Sequence, residues 1–346
     1  DGVIVESLAN VLSSSADSLG VEQYLGKGAD IHSDSSAFAA LNTALFRDGV
    51  FIHVAANVIF DRPIQMLFVT TSHSTDLNAT ESPMTHPRVL IAAGENSQIR
   101  LVETYVGEID TPYLTNVVTE VIGGENSAVD HYKLVREASA AYHIGHMHLR
   151  LNRSANFSSH AITLGGNIVR NDTVAVLDGE GVNCTLNGLY IAKGQRLVDN
   201  HTTIHHAKPH CESHELYKGI LDDQAHAVFN GKIVVEIDAQ KTDAKQTNKA
   251  LLLSEDAQIN TKPELEIFAD DVKCTHGATV GQLDADAMFY LRARGLGLEQ
   301  ARRVLIHAFA SDLLSRIGIQ SIRTDLDELL LAQLSGSGKA GSYECG

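Results

Sequence analysis

Between residues 38 and 279 the chain reads as short runs in which apolar and polar residues alternate with period two, the spacing of a half-buried β-strand. The runs predict strands at 50–54, 65–69, 88–92, 99–105, 114–122, 128–135, 146–151, 161–164, 173–177, 185–191, 227–235 and 264–268. Val, Ile, Thr and Tyr dominate them, and no long helical periodicity intervenes. Small polar corners separate the runs, at 94–97, 124–127, 178–181, 222–225 and 254–257. The first two share Gly-Glu-Asn-Ser thirty residues apart, and the last two are thirty-two apart. Corners recurring at one-coil spacing predict a right-handed parallel β-helix, with apolar side chains turned inward and polar ones outward. A β-sandwich or jelly roll has similar strand spacing, but roughly 240 residues of unbroken short strands is long for one sandwich.

Both flanks differ. Residues 1–35 are rich in Ser, Asp and Gly, with weak helical stretches around 6–12 and 21–24, and read as a poorly packed, truncated lead-in before a β-helix core over 36–280. The chain opens on Asp1 rather than Met, so it is expected to begin inside a longer protein. A helical domain follows over 281–334: a helix at 284–294 with Asp284 as N-cap and Gly295 closing it, then helical text at 298–317 and 326–334. These helices are expected to cover the last coil and to offer a partner face. Residues 335–346, including Cys345, read as a flexible tail.

Composition narrows the function. Lys and Arg number 27 against 43 Asp and Glu, giving −16, which argues against a phosphate-backbone partner. No apolar run approaches the roughly 18 residues of a membrane span. Cys184, Cys211, Cys274 and Cys345 form no paired motif, which fits free thiols in a reducing compartment, the cytoplasm.

Ser335-Gly-Ser-Gly-Lys-Ala340 lacks the residues and the preceding strand of a phosphate loop. His146 and His148 share one strand face without a following carboxylate, which favours hydrogen-bonded imidazoles over a metal site. His201, His205, His206, His210, Cys211 and His214 crowd into fourteen residues, so His206, His210 and Cys211 are weaker metal candidates beside a stacked-ladder reading. Cys274 and His276, two apart, project from one strand face and form half of a metal or thiolate site. The acid pairs at 222–223, 255–256 and 270–271 fall at corners, where solvated turns are expected; a carbohydrate-active β-helix enzyme would need such a pair.

One resemblance ties these residues together. Phe268-Ala-Asp-Asp-Val-Lys-Cys-Thr-His-Gly-Ala-Thr-Val280, then Met288-Phe-Tyr-Leu-Arg-Ala-Arg-Gly295, resembles the C-terminal signature of the SufD branch of the SufB/SufD family, scaffold subunits of the Suf iron–sulfur cluster assembly machinery. Leu41-Asn-Thr-Ala-Leu-Phe-Arg-Asp-Gly49, Lys208-Pro-His-Cys211, Asn230-Gly-Lys-Ile and Asp238-Ala-Gln-Lys-Thr-Asp-Ala-Lys245 are similar to the same family, and together the motifs span about 36–318. The resemblance implies a β-helix with a helical C-terminal domain, and a non-catalytic scaffold that pairs with a SufB-type paralogue and binds a SufC-type ABC ATPase. Sulfur would come indirectly from a cysteine desulfurase. It implies that His276, with Cys274 beside it, lies where a transient cluster or iron forms between the paired subunits. The region of Phe289, Tyr290, Leu291, Arg292, Arg294 and Gly295 is implied to bind the ATPase. No cofactor is expected to be held tightly by the chain alone: ATP stays on the partner, and a flavin is a candidate only of the assembled complex. The SufB branch carries a cysteine near the position of Asn248 and a glutamate where this chain has Gly277, which leaves that branch as the alternative.

Overall fold

The computed structural model describes residues 2–14, 20–26, 37–71, 82–108 and 111–334. In chain order the early strands are β1 (Val3–Ser7), β2 (Gly49–Val54), β3 (Ile64–Thr70), β4 (Met84–Thr85), β5 (Arg88–Ala93), β6 (Gln98–Gly107), β7 (Leu114–Gly123) and β8 (Ala128–Arg136). Next come β9 (Tyr142–Leu151), β10 (Asn156–Thr163), β11 (Ile168–Leu177), β12 (Asn183–Ala192) and β13 (Leu197–His206). The last are β14 (Glu212–Leu221), β15 (His226–Val235), β16 (Asp243–Leu252), β17 (Gln258–Ile267) and β18 (Lys273–Gly281).

From β5 onward odd strands lie in one sheet and even strands in the other, each strand pairing in parallel with the one two places on. The chain therefore winds from sheet to sheet as a parallel β-solenoid of about seven turns. Pairing is in register: His131, Ser159, Leu186, Glu215, Gln246 and His276 form one file across six successive strands.

The corners are why the coils stack. Residues 94–97 and 124–127 both lead from the first sheet to the second, with Gly124 N donating to Ala93 O at 2.8 Å. Asn96 and Asn126 each take a left-handed conformation (φ 54°), which asparagine tolerates better than most residues. Asn126 Nδ2 then donates to Asn96 Oδ1 at 2.8 Å, and Asn96 Nδ2 to Asn57 Oδ1 at 3.0 Å, a side-chain ladder along that edge. Corners 222–225 and 254–257 lead the opposite way, so the five repeats belong to two edges rather than one.

The two sheets enclose a core of Ile52, Ile91, Leu101, Val121, Leu149, Phe157, Leu186, Ile204 and Phe229 with their neighbours. The simple inward-apolar, outward-polar rule fails in two ways. The outward face of the second sheet is apolar, with Tyr132, Leu134, Ile162, Leu189, Leu216 and Ile220 buried there. Inward positions also carry charged side chains, among them Glu103 and Lys133.

Helices α1 (Leu8–Ser13) and α2 (Ala37–Leu45) lie near the start of the solenoid, and α3 (Ala285–Ala293), α4 (Leu298–Leu314) and α5 (Gln320–Leu334) follow it. The lead-in is better packed than its composition suggests: β1 pairs antiparallel with β2, and buried Leu8 and Val21 join Phe51, Leu90 and Ala92. The C-terminal helices do not cover the last coil as expected. Ile306, Ala310, Leu313, Leu314, Leu326 and Leu330 pack on the outward apolar face of the second sheet, taking both apolar surfaces from water. The tail expected at 335–346 lies outside the described residues.

Candidate functional site

With the helices on the solenoid's flank, the coil of β17 and β18 is open. Among the described residues no strand pairs beyond β17 in the first sheet or β18 in the second. Cys274 is in register with Ala244, and His276 with Gln246. Ala244 and Gln246 are buried, facing the space between the sheets, so Cys274 and His276 share the inward face of the last coil, roughly 7 Å apart along the strand. His276 is exposed because no further coil covers it. Cys274 is half-buried against Ile233, Val235, Ala239, Ala244 and Ala269. Burial raises its pKa, and Asp243 adds to the effect. It is therefore a protonated thiol at neutral pH, not a ready nucleophile.

The coil beneath is unusually polar inside. Gln246 Nε2 donates to Glu215 Oε2 at 2.8 Å, and Asn248 Nδ2 donates across the interior to Thr261 Oγ1 at 3.0 Å. Gly231 on the facing sheet leaves the room: a Cβ there would stand 2.1 Å from Gln246 Nε2. Burial pushes the Glu215 carboxyl up to about 7. Asn248 and Gly277 both lie at this end, and a Cβ on Gly277 would meet nothing within 4 Å.

The weaker metal candidates do not converge. His206 is inside, its Nε2 2.9 Å from Ser213 Oγ, and burial holds it at about 4. Cys211 is buried in the next corner and its thiol donates to Gly179 O at 3.2 Å. His210 is exposed in that corner, with φ 60° and its nearest carboxylate, Glu180, 4.0 Å away. His201 pairs with Asp199 on the outward face of the first sheet, His205 with Glu236, and His214 lies outward on the second. His146 and His148 both point outward from β9 and are buried, His146 lying 3.6 Å from Asp172. Among the described residues no three His, Cys, Asp or Glu side chains group as a metal site.

The implied ATPase-binding region is the least packed part of the helical layer. Asp284 caps α3 by accepting from Ala287 N at 2.8 Å, and Gly295 ends it with φ 94°. No residue of α3 is buried; Phe289 is 74% and Tyr290 57% exposed, with Arg294 5.0 Å over the Tyr290 ring. Leu291 is half-buried, and Arg292 and Arg294 are exposed. Behind it α4 is fastened firmly. Lys218 of β14, buried on the outward face, donates to Phe309 O at 2.9 Å and pairs with Asp312 at 2.7 Å.

An ionic network deep in the early coils had no clear sequence signal. Glu103 lies 3.1 Å from His131 Nε2 and accepts from Tyr105 at 2.8 Å, Glu137 pairs with His143 at 3.2 Å, and Lys133 donates to Asn171 at 2.9 Å. Its one trace is Ile99-Arg-Leu-Val-Glu-Thr-Tyr105, where Glu103 falls on the inward parity of Ile99, Leu101 and Tyr105.

Comparison with known proteins gives this arrangement a family. Residues 75–309 match the family described as SUF system FeS cluster assembly, SufBD core domain, and residues 1–66 match the SufBD protein N-terminal region. An iron–sulfur cluster assembly SufBD family protein of Synechocystis sp. is 37% identical over 309 residues, covering 87% of this chain and 66% of that protein. The iron–sulfur cluster assembly protein SufD of Escherichia coli is 33% identical over 278 residues, covering 80% of this chain and 65% of its own. SufD of Bacillus subtilis is 28% identical over 309 residues, covering 88% and 68%. The chain thus spans about two thirds of the length of these relatives. It belongs to the SufBD family of iron–sulfur cluster assembly proteins.

Proposed function

We propose that this SufBD-family chain is a scaffold subunit of the SufD type, which pairs with a SufB-type paralogue and carries a SufC-type ABC ATPase. The observation that carries the reading is the open last coil. Two adjacent strand edges, Gln258–Ile267 and Lys273–Gly281, pair with no further strand among the described residues and leave ladder groups for a second solenoid, with His276 exposed beside them. One imidazole cannot hold iron or a cluster alone; the remaining donors, a thiolate and a carboxylate, would come from the partner. Asn248 and Gly277 fit that division, since neither supplies a ligand where the SufB branch does.

The cluster is cargo, assembled transiently between subunits from iron and from sulfur delivered through a cysteine desulfurase. ATP belongs to the ATPase, which would seat on the exposed aromatic pair of α3, and any flavin belongs to the assembled complex. The chain itself would hold and position rather than catalyse. No helix among the described residues is long and apolar enough to cross a membrane, and Cys184 and Cys211 are buried free thiols, which suits the cytoplasm.

Co-expression with the two partners tests the reading. The expected result is co-elution of all three chains and a cluster absorbance on reconstitution. His276→Ala should keep assembly and lose at least about tenfold in cluster yield, as loss of a metal ligand does. Undiminished yield, or no association with either partner, would overturn it.

A further inference from the structure

Two side chains beneath the open coil are only half satisfied. Glu215 Oε2 accepts from Gln246 Nε2 at 2.8 Å, while Glu215 Oε1 and Gln246 Oε1 are both shielded from solvent with no partner of good hydrogen-bond geometry, although the Thr202 hydroxyl faces the carboxyl. If the carboxyl were ionised, each would be a pure acceptor, and two such orphans side by side are costly in a protein interior. The arrangement has one economical resolution. A carboxylic acid and a primary amide already joined by one N–H···O bond close a ring when the acid O–H donates to the amide oxygen.

We propose that Glu215 is held as a neutral carboxylic acid in a cyclic pair with the Gln246 amide, and that this pair is a proton-operated tie between β14 and β16, beneath the coil that carries His276. Glu215 and Gln246 are register partners on adjacent strands, so both hydrogen bonds span one strand spacing. Gly231 opposite, having no Cβ, leaves the space that the amide occupies.

The surroundings favour the neutral acid. On the neighbouring strand β12 the inward groups are Cys184, Leu186 and Tyr190, and Tyr217 follows on β14 itself. Gly231 of β15 and Thr202 of β13 face it from the other sheet; the Thr202 hydroxyl favours the carboxylate, but burial outweighs it. Burial raises the pKa of Cys184, Tyr190 and Tyr217, so each is neutral, and none of these facing groups is a cation to stabilise a carboxylate. Ionisation would break the O–H···O bond and set two bare acceptor oxygens against each other. Since β16 is the sole sheet partner of β18 among the described residues, the strand carrying His276 would loosen. The tie stands whether or not His276 handles a cluster.

Two measurements on the full chain decide this. Infrared titration with labelled glutamate should show a protonated carboxyl band below about pH 7 that is missing from Glu215→Gln. Hydrogen exchange over 243–252 and 273–281, corrected for intrinsic rates, should lose at least about tenfold in protection between about pH 5 and 7 and level off above. In Glu215→Gln an amide–amide pair replaces the acid, so protection should stay independent of pH. Absence of the carboxyl band in the wild-type chain at pH 6 would refute the proposal, even if the variant fails to fold. The same pH-dependent loss in Glu215→Gln would refute it equally.

Discussion

Glu103 is fully buried, and burial alone would raise its pKa; His131, Lys133 and Tyr105 overcome that and hold it at about 2, against 4.5 unperturbed. A folded-state pKa below the unfolded one means the stabilisation is complete above about 4.5 and disappears as pH falls toward 2. Glu103→Gln should therefore cost on the order of 3 kcal/mol at pH 7, because Lys133 and His131 lose their buried partner; urea unfolding measures it. His143, His146, His160 and His206 are held at about 4 by burial, against 6.5. Protonating them favours the unfolded chain, so stability should decline as pH falls from 6.5 through 4, before Glu103 titrates. Glu215 works the other way, losing stabilisation as pH rises from 4.5 to 7, but it is one group against four. An unfolding midpoint that stays flat until pH 4 would contradict this account.

At the scale of elements, α4 is held to the solenoid by more than its apolar stripe. Lys218 is buried on β14, with its charge met by Asp312, a main-chain carbonyl and the Phe309 ring 5.0 Å away. Lys218→Ala should cost roughly 2–3 kcal/mol and speed exchange in Leu298–Leu314, whereas Asp312→Ala, at a half-exposed carboxylate, should cost less than about 1 kcal/mol. Two glycines of the end coils separate packing from exposure. A Cβ at Gly231 would meet Gln246 Nε2 at 2.1 Å and Phe229 Cζ at 3.0 Å, so Gly231→Ala should destabilise by about 1–3 kcal/mol. Gly277 faces open space, so Gly277→Ala should leave the melting temperature within about 2 °C. Strands β13, β14 and β16 escaped the sequence pattern for a related reason. Ser213, Glu215, Gln246 and Asn248 occupy inward positions, and outward ones carry Asp199, His201, His214 or Lys245, so the apolar alternation is gone. Backbone pairing with neighbouring coils makes them strands regardless.

The whole molecule is asymmetric. Its first coil is covered by β1 and α1 and by α2, whose Asn42 donates to Pro87 O at 2.9 Å and Asn116 O at 2.8 Å. Among the described residues no strand pairs over its last coil. In a solenoid each coil is stabilised chiefly by its neighbours, so a terminal coil has half the support of an internal one. Amides of Gln258–Ile267 and Lys273–Gly281 should exchange at least about tenfold faster than those of Tyr142–Leu151 and Ile168–Leu177, and regain protection when a partner chain docks. Uniform protection along the solenoid would mean the open end is not a docking edge.

By itself the sequence determined the stacked-coil architecture, because period-two alternation and corner residues are local properties: an Asn that tolerates left-handed φ, or a turn of Gly and acid, needs no knowledge of the rest of the chain. It also determined that Cys274 and His276 share a face, since strand parity alone puts residues two apart on the same side. Only the tertiary structure decided where the helices went, because the outward face of the second sheet becomes a continuous apolar surface only when Tyr132, Ile162, Leu189 and Ile220 from different coils are brought side by side. The same holds for the interior: Glu215 and Gln246 are thirty-one residues apart and meet only through strand register. Exposure of His276 follows from the end of the coil stack among the described residues, a property of the assembled solenoid that no local pattern records.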